Sequence, residues 1–239
     1  MINSLKKKFH LTFDVDWAPD PAIELCLNIL EKNNTKATFF ATHHTDLNKE
    51  ILKKGHELGI HPNFLDGSSQ GNSITEIIEN CLKFAPEAKA MRTHALVQST
   101  PLYFEIFSQF SQLKLDLSIF MHRAKNIEKF KWHFNNIEFD RINYNWEDDA
   151  EFQTKSFNWS EPYYPGILSI YDFHPIHVYL NSKNDKNYKN LKDELIGKSL
   201  ISAPSSILKK HVNIQDGAQS LLKKILESDA KSVSLWSIK

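Results

Sequence analysis

Short apolar runs with β-strand character alternate with helical stretches along most of this 239-residue chain. The first part contains strand, helix, strand, helix and strand candidates at Phe9–Phe13, Pro19–Lys32, Ala37–Thr42, Leu47–Lys54 and Glu57–Ile60. Because strands that are joined through helices run parallel, this order predicts an α/β fold with a parallel sheet, either open or closed into a barrel. No linker rich in Pro, Gly or Ser divides the chain, so we predict a single domain over residues 1–239.

The alternation continues after residue 60, with one interruption. Ser73 and Glu76 form the capping box of a helix that reaches about Phe84. Later strands are predicted at Lys89–Arg92, Leu115–Phe120, Ile167–Tyr171 and Ser232–Ile238, and later helices at Tyr103–Gln112 and Asp216–Glu227. The interruption is the tract from Phe130 to Tyr164, where aromatic residues mix with Asn, Asp and Glu. We interpret it either as irregular core that covers one barrel end or as a groove whose aromatic faces stack on sugar rings.

Net charge, cysteine content and the length of apolar runs argue against nucleic-acid binding and against a membrane span. Lys+Arg and Asp+Glu number 29 each, so the formal net charge is zero and no domain-wide basic field is available for nucleic acid. Cys26 and Cys81 lack metal-type spacing and are predicted to be buried free thiols. Neither a run of about 18 apolar residues for a membrane span nor the apolar stretch of a secretory signal is found. The sequence therefore predicts a cytoplasmic protein.

Acidic, histidine and arginine side chains lie at the carboxyl ends of four of the predicted strands. They are Asp14 and Asp16 at the end of the first strand, His61 after the third, Arg92 and His94 at the end of Lys89–Arg92, and Asp172, His174 and His177 after Ile167–Tyr171. Ligands of parallel α/β proteins bind beyond the carboxyl ends of the strands. Carboxylate and imidazole groups that meet there suit a divalent metal held by mixed N and O ligands.

Each of these residues also has a purely structural interpretation. Asp16 could cap the helix that begins near Pro19, and His61, which precedes Pro62, could be a turn residue. Arg92 could form a structural ion pair, and His174 and His177 could pack in the core. The coincidence of all of them at one edge favours a functional site.

These residues lie in segments that resemble the polysaccharide deacetylases of the NodB-homology type, a carbohydrate esterase family. The segments are His10–Asp16 (HLTFDVD), Lys36–Ala41 (KATFFA), Gly55–His61 (GHELGIH), Arg92 in Met-Arg-Thr-His, Trp146–Asp149, and Ile167–His174. The resemblance covers residues 9–63 strongly and continues more weakly to residue 177. It implies a distorted parallel (β/α) barrel of about seven strands and a metal-dependent deacetylase of the kind associated with surface-polysaccharide biosynthesis.

The resemblance also implies residue roles. They are general base for Asp14, metal ligand for Asp16, first metal histidine for His61, orientation of the base for Arg92, and general acid for His174, oriented by Asp148 or Asp149. Asp14 and Asp16 are separated by one residue, so on a strand their side chains would point to the same side.

One position departs from the family pattern. The family has a second metal histidine four residues after the first, and this chain has Leu65 there. Because a catalytic metal site usually has three protein ligands, another residue must supply the third. The candidates are His94 and His177, with Gln70 as a weaker one. One of His174 and His177 would then act as a ligand and the other as the acid.

The first functional hypothesis is therefore a metal-dependent hydrolase that removes an acetyl group from an N-acetylated sugar or glycan. It requires a divalent metal, zinc first, with cobalt, nickel or iron as alternatives. Trp17, Asn63 and Trp146 are candidate substrate-binding residues. Two other hypotheses remain open: a carbohydrate-binding barrel that lost its metal with the histidine at position 65, and a different metal hydrolase such as a phosphoesterase or a cyclic-amide hydrolase.

Overall fold

A single, predominantly parallel sheet runs through the chain. The computed structural model describes residues 6–154 and 156–238. The strands in this part are β1 (Lys8–Asp14), β2 (Thr38–Ala41), β3 (Glu57–Ile60), β4 (Ala90–Met91), β5 (Leu115–Phe120), β6 (Lys129–Phe134), β7 (Ile137–Tyr144), β8 (Trp146–Glu147), β9 (Leu168–Phe173) and β10 (Lys231–Ser232).

Helices connect these strands and cover the sheet. They are α1 (Asp20–Lys32), α2 (Leu47–Lys53), α3 (Ile74–Phe84), α4 (Thr100–Gln109), α5 (Asp148–Glu151), α6 (Pro175–Leu180), α7 (Lys186–Leu195), α8 (Ser205–Lys210) and α9 (Ala218–Glu227). None of these described helices has both the length and the apolar character that a membrane crossing requires.

The strand order bends the sheet into a distorted barrel. Neighbouring strands follow the order β6-β7-β5-β4-β3-β2-β1-β9-β8, with β10 beside β1. Among the strand pairs of the described residues, only β6–β7 is antiparallel. β7 and β8 are consecutive parts of one segment, in which β7 pairs with β5 and β8 pairs with β9. Between them, Asn145 Oδ1 accepts the Ile170 N–H at 3.0 Å. This segment brings the two sides of the sheet together, and the predicted α/β class is confirmed.

Local sequence explains why the first helices form where predicted. Pro21 lies in the first turn of α1, where a missing N–H costs nothing, and the buried residues Ile23, Leu27 and Leu30 form one apolar stripe. Ser73 is the N-cap of α3, because its Oγ accepts the Glu76 N–H at 3.2 Å. Both cysteines, one in α1 and one in α3, are buried free thiols as predicted.

The aromatic tract between residues 130 and 164 is not irregular in its first half, so that interpretation is corrected. β6 and β7 form an antiparallel hairpin, with Phe134 opposite Ile137. The turn contains Asn135 with φ of 53°, a left-handed conformation that Asn tolerates. Lysine or histidine alternates with an aromatic residue along Lys129–Phe134, and this period of two is the strand signal.

Other predicted bounds also change. Helix α4 begins at Thr100 rather than Tyr103, because Ser99 Oγ accepts the Leu102 N–H at 3.3 Å. In place of the closing strand Ser232–Ile238, only Lys231–Ser232 pairs with β1, and a 3-10 turn follows at Leu235–Ser237. Helices α5, α6, α7 and α8 were not predicted.

Candidate active site

The registers of the parallel strands bring the predicted residues to one rim of the barrel. Asp14 in β1 lies level with Phe40 in β2, and Thr12 lies level with Asp172 in β9. Ile60, the last residue of β3, pairs with Met91 of β4. His61, Arg92 and His174 therefore leave their strands at the same carboxyl-terminal edge as Asp14.

Three potential metal ligands, Asp16, His61 and His94, converge at this rim. Asp16 Oδ1 lies 3.0 Å from His94 Nδ1 and 3.2 Å from His61 Nε2. The two ring nitrogens are 3.3 Å apart. Asp16 does not continue strand β1 as the sequence suggested: its φ of 43° turns the chain after Asp14. The first residue of α1 is preceded by Pro19 without a side-chain cap, so Asp16 is not the helix cap either.

The donor set and its spacing fit a divalent ion. Four ligands at about 2.0–2.2 Å from a tetrahedral zinc ion lie about 3.4 Å from one another. The three edges of the Asp16–His61–His94 triangle, 3.0, 3.2 and 3.3 Å, are close to that value. Two imidazoles and one carboxylate would leave the fourth position of such an ion open, as catalytic sites require.

The charges at this triad favour an ionised carboxylate. Burial alone would raise the pKa of Asp16, but its hydrogen bonds with His61 and His94 hold that pKa well below the usual value. Burial lowers the pKa of His61, and the carboxylates of Asp14 and Asp16 outweigh it, so the pKa is raised. Protons or a cation must therefore balance the negative charge that gathers here.

Two further groups of carboxylates and histidine lie nearby, Asp14 with Asp172 and His174, and Glu147 with Asp149 and His174. Both depend on His174, whose Nδ1 is already bound to Asp148 at 2.7 Å. The Asp16 triad does not use His174, and its three ligand atoms all lie within 3.3 Å of one another.

Arg92 binds the predicted base. Its Nη1 donates to Asp14 Oδ1 at 2.9 Å and also to Asp172 Oδ1, and its Nε donates to the Leu117 carbonyl at 3.2 Å. The guanidinium is fully buried and lies 4.0 Å from the Tyr144 ring centroid. Burial raises the pKa of Asp172 to about 7, with Arg92 opposing and Asp14 adding to the shift.

Asp148 is the carboxylate that binds His174. Burial lowers the pKa of His174, but the adjacent Asp148 carboxylate outweighs it, and that pKa is raised well above the usual value. The other ring nitrogen, His174 Nε2, lies 3.7 Å from Asp16 Oδ2 and so faces the triad. Of the two predicted alternatives, Asp148 makes this contact, whereas Asp149 acts on His174 only through its charge.

His177, Gln70 and Leu65 lie apart from the triad. His177 Nδ1 lies 3.3 Å from Ser182 Oγ, and its ring packs edge-on against Phe152. Both ends of the Gln70 amide are hydrogen-bonded to the loop after β3. Nε2 donates to the His61 carbonyl at 3.1 Å, and Oε1 accepts the N–H of residue 63 at 2.6 Å. The structure thus offers His94, and neither His177 nor Gln70, as the third ligand.

The three candidate substrate-binding residues differ in their surroundings. Trp146 is fully buried and packs against Phe173 at 4.9 Å, so the prediction that it contacts substrate is wrong. Asn63 is half-buried, and its Oδ1 accepts the Leu65 N–H at 3.0 Å, which shapes the loop. Trp17 is half-buried beside the triad, with its ring edge-on to His94 at 5.2 Å.

The sequence pointed to Asp172 as a rim residue but assigned it no role. Its carboxylate shares the Arg92 guanidinium with Asp14 and accepts a hydrogen bond from Thr12 Oγ1 at 2.6 Å. Glu147 was also missed: it accepts the Tyr144 hydroxyl at 2.6 Å. The available signal was its place directly before Asp148.

Fold and site together define a parallel α/β barrel hydrolase with a carboxylate–histidine centre at the carboxyl ends of its strands. The family model of WbmS-like polysaccharide deacetylases matches residues 11–192. The chain belongs to this family, and with it to the hydrolases of the carbohydrate esterase kind.

The chain is also similar to solved structures. A Bordetella bronchiseptica protein (WbmS), assigned as a polysaccharide deacetylase involved in O-antigen biosynthesis, is 30% identical with a TM-score of 0.77, over 93% of this chain and 90% of that one. A family 4 carbohydrate esterase from Streptomyces lividans is 12% identical with a TM-score of 0.49, over 97% of this chain and 94% of that one. No match was found among curated proteins.

Proposed function

We propose that this protein is a metal-dependent deacetylase that hydrolyses the N-acetyl group of a sugar or glycan. The observation that carries the proposal is the placement of the Asp16–His61–His94 triad between two polar pairs, Asp14 with Arg92 and His174 with Asp148. Membership of the polysaccharide deacetylase family supports the reaction class.

Asp16, His61 and His94 would hold the metal, which we propose to be zinc. Imidazole and carboxylate ligands also suit cobalt, nickel or iron, and the test below compares them. When bound there, a divalent ion polarises the amide carbonyl and lowers the pKa of a water molecule beside it.

Asp14 acts as the general base. Asp14 Oδ1 is bound by Arg92, and Asp14 Oδ2 lies on the side of the triad, 3.7 Å from His61 Nε2. An ionised carboxylate at this place accepts a proton from the attacking water. The fully buried guanidinium of Arg92 orients this carboxylate through Nη1, which lies 2.9 Å from Asp14 Oδ1.

His174 acts as the general acid. Its raised pKa keeps the ring protonated at neutral pH, and Nε2 faces the triad. Protonation of the departing amine from this nitrogen turns a poor leaving group into a neutral one. Asp148 stabilises the imidazolium and fixes its orientation through Nδ1.

The two alternative functions lack a supporting observation. The non-catalytic alternative was motivated by Leu65, and His94 lies at the triad in place of a histidine at that position. A phosphoesterase would use a cationic side chain at the phosphate, whereas Arg92 is buried and bound to carboxylates. As the Bordetella protein is described as involved in O-antigen biosynthesis, we propose a substrate from surface-polysaccharide assembly.

Acetate release tests the proposal. Metal-depleted protein would be reloaded with Zn²⁺, Co²⁺, Ni²⁺ or Fe²⁺ and assayed on N-acetylglucosamine, UDP-N-acetylglucosamine and chitin oligomers. We expect release that chelator abolishes and that Asp14→Asn reduces by at least a hundredfold. Absence of metal-dependent release from all three substrate classes would contradict the proposal.

A further inference from the structure

A strained turn separates the metal triad from a neighbouring cavity. Asp16 and Trp17 are consecutive residues with φ of 43° and 53°, a left-handed conformation that Asp tolerates but that is unfavourable for Trp. The turn is held by the Trp17 N–H, which donates to Thr42 Oγ1 at 2.9 Å, and by the Ala18 N–H, which donates to the Val15 carbonyl at 2.8 Å. As a result, the Asp16 carboxylate contacts His61 and His94, and the Trp17 indole lines the cavity.

The cavity has the size and the surface of a site for a sugar residue. Its volume is about 370 Å³, within the range of small-molecule sites. Trp17, Phe84 and Ile201 supply apolar surface, and His43, Asn80 and Lys83 are among the polar groups. An indole face beside hydrogen-bonding groups matches a pyranose ring, which has apolar C–H faces and a polar edge.

Two residues that line this cavity, Trp17 and Gln70, also contact the histidines of the triad. The Trp17 ring meets His94 edge-on with centroids 5.2 Å apart. Gln70, which also lines the cavity, donates to the His61 carbonyl at 3.1 Å. A glycan whose acetylated residue lies at the triad would therefore place the next residue in the cavity.

The charge of the cavity differs from that of the catalytic rim. None of the described residues that line it carries a carboxylate, whereas Asp14, Asp16 and Asp148 gather at the rim. Lys83, which lines it, forms no ion pair within residues 6–154 and 156–238, and its Nζ donates to Asn80 Oδ1 at 2.7 Å. His43 Nε2 is buried without a partner in the same part of the chain.

We propose that this cavity binds the sugar residue next to the one that is deacetylated, and that Lys83 selects a residue with a carboxylate, a hexuronate. The inference rests on the proposed deacetylase function, because it places the acetylated residue at the triad. It adds a substrate class: an N-acetylated sugar joined to an acidic one.

Calorimetric titration of metal-depleted protein at low ionic strength tests the cavity without catalysis. The probes are a hyaluronan tetrasaccharide, which alternates glucuronate with N-acetylglucosamine, and the neutral chitotetraose. We expect the hyaluronan fragment to bind about fivefold more tightly, as one exposed charge pair allows. Lys83→Gln should remove this preference, whereas Lys32→Gln, which removes an exposed lysine from the last turn of α1, should retain it.

Trp17 is tested in the same way. Trp17→Ala should weaken both probes about tenfold, and Trp17→Phe, which keeps an aromatic face, should restore most of the affinity. Equal binding of the two probes, binding of neither, or the same affinities in wild type, Trp17→Ala and Lys83→Gln would each overturn the inference. Binding as expected with no acetate release would instead overturn the deacetylase function and leave a glycan site.

Discussion

Asp148 holds His174 with both of its carboxylate oxygens. Oδ1 lies 2.7 Å from His174 Nδ1, and Oδ2 accepts the His174 backbone N–H at 3.0 Å. One buried side chain thus fixes the position of the backbone, the tilt of the ring and the charge of the imidazole. The free nitrogen, Nε2, is left to face Asp16. This relationship predicts how activity should depend on pH.

Asp148→Asn should move the alkaline limb of the pH–activity profile to lower pH. The Asp148 carboxylate raises the pKa of His174 against the effect of burial, so its removal lowers that pKa. A general acid works only while protonated, and activity should therefore be lost at lower pH than in wild type. We expect the catalytic efficiency at neutral pH to fall by about 10²- to 10⁴-fold. Acetate release across the pH range in which wild type is active measures both effects.

Asp149→Asn is the matched control for this prediction. The hydrogen bond to the His174 ring comes from Asp148, and Asp149 affects the His174 pKa through charge alone. Its variant should shift the alkaline limb less and retain most of the activity at neutral pH. Equal shifts in the two variants would contradict a special role for Asp148.

His94→Ala should abolish stoichiometric metal binding, whereas His177→Gln should not. The prediction rests on the 3.0 Å distance between His94 Nδ1 and Asp16 Oδ1 and on the bond of His177 with Ser182. Elemental mass spectrometry of protein that was incubated with Zn²⁺ and desalted measures it, with Asp16→Ala and His61→Ala as further variants. Metal retained in His94→Ala and lost in His177→Gln would assign the third ligand to His177.

Much of the fold was predictable, because its signals are local. The period of helix α1, the Ser73 cap of α3 and the residues of β3 follow from a few neighbouring side chains. The hairpin β6–β7 has the same kind of signal, a period of two around Asn135, but the mixture of aromatic and polar residues concealed it. The bending of the sheet depends on one segment that pairs with both β5 and β9, which no local pattern specifies.

The rim residues were predictable for a topological reason, whereas the third ligand was not. The carboxyl ends of parallel strands meet at one edge, so the acids and histidines after each strand gather there. The choice between His94 and His177 depends on the chain after β4, where Ala95 and Leu96 have φ of 52° and 54°. This conformation is unfavourable for both residues, and sequence gives no sign of it. The cytoplasmic location stays a prediction.

Trp146→Phe should lower stability while leaving the apparent affinity for substrate unchanged. Trp146 lies wholly inside the barrel, edge-on to Tyr171 at 5.5 Å and against Phe173. Because full truncation of a buried Trp costs about 3–5 kcal/mol, a smaller aromatic should cost roughly half of that. Thermal unfolding and steady-state kinetics on one preparation measure the two effects. A raised KM with unchanged stability would return Trp146 to the substrate site.

Asp172→Asn should flatten the dependence of unfolding free energy on pH between about pH 4.5 and 6.5. Burial raises the pKa of Asp172 to about 7, against an unfolded value of about 3.9. Between these values the folded state binds a proton that the unfolded state has lost, so this group makes stability fall as pH rises. The slope from one such proton is at most about 1.4 kcal/mol per pH unit, and urea unfolding at several pH values measures it.

Glu138→Gln, at an exposed position on β7, is the control for this prediction. If the slope of Asp172→Asn matches wild type, Asp172 is ionised throughout and Arg92 balances both carboxylates.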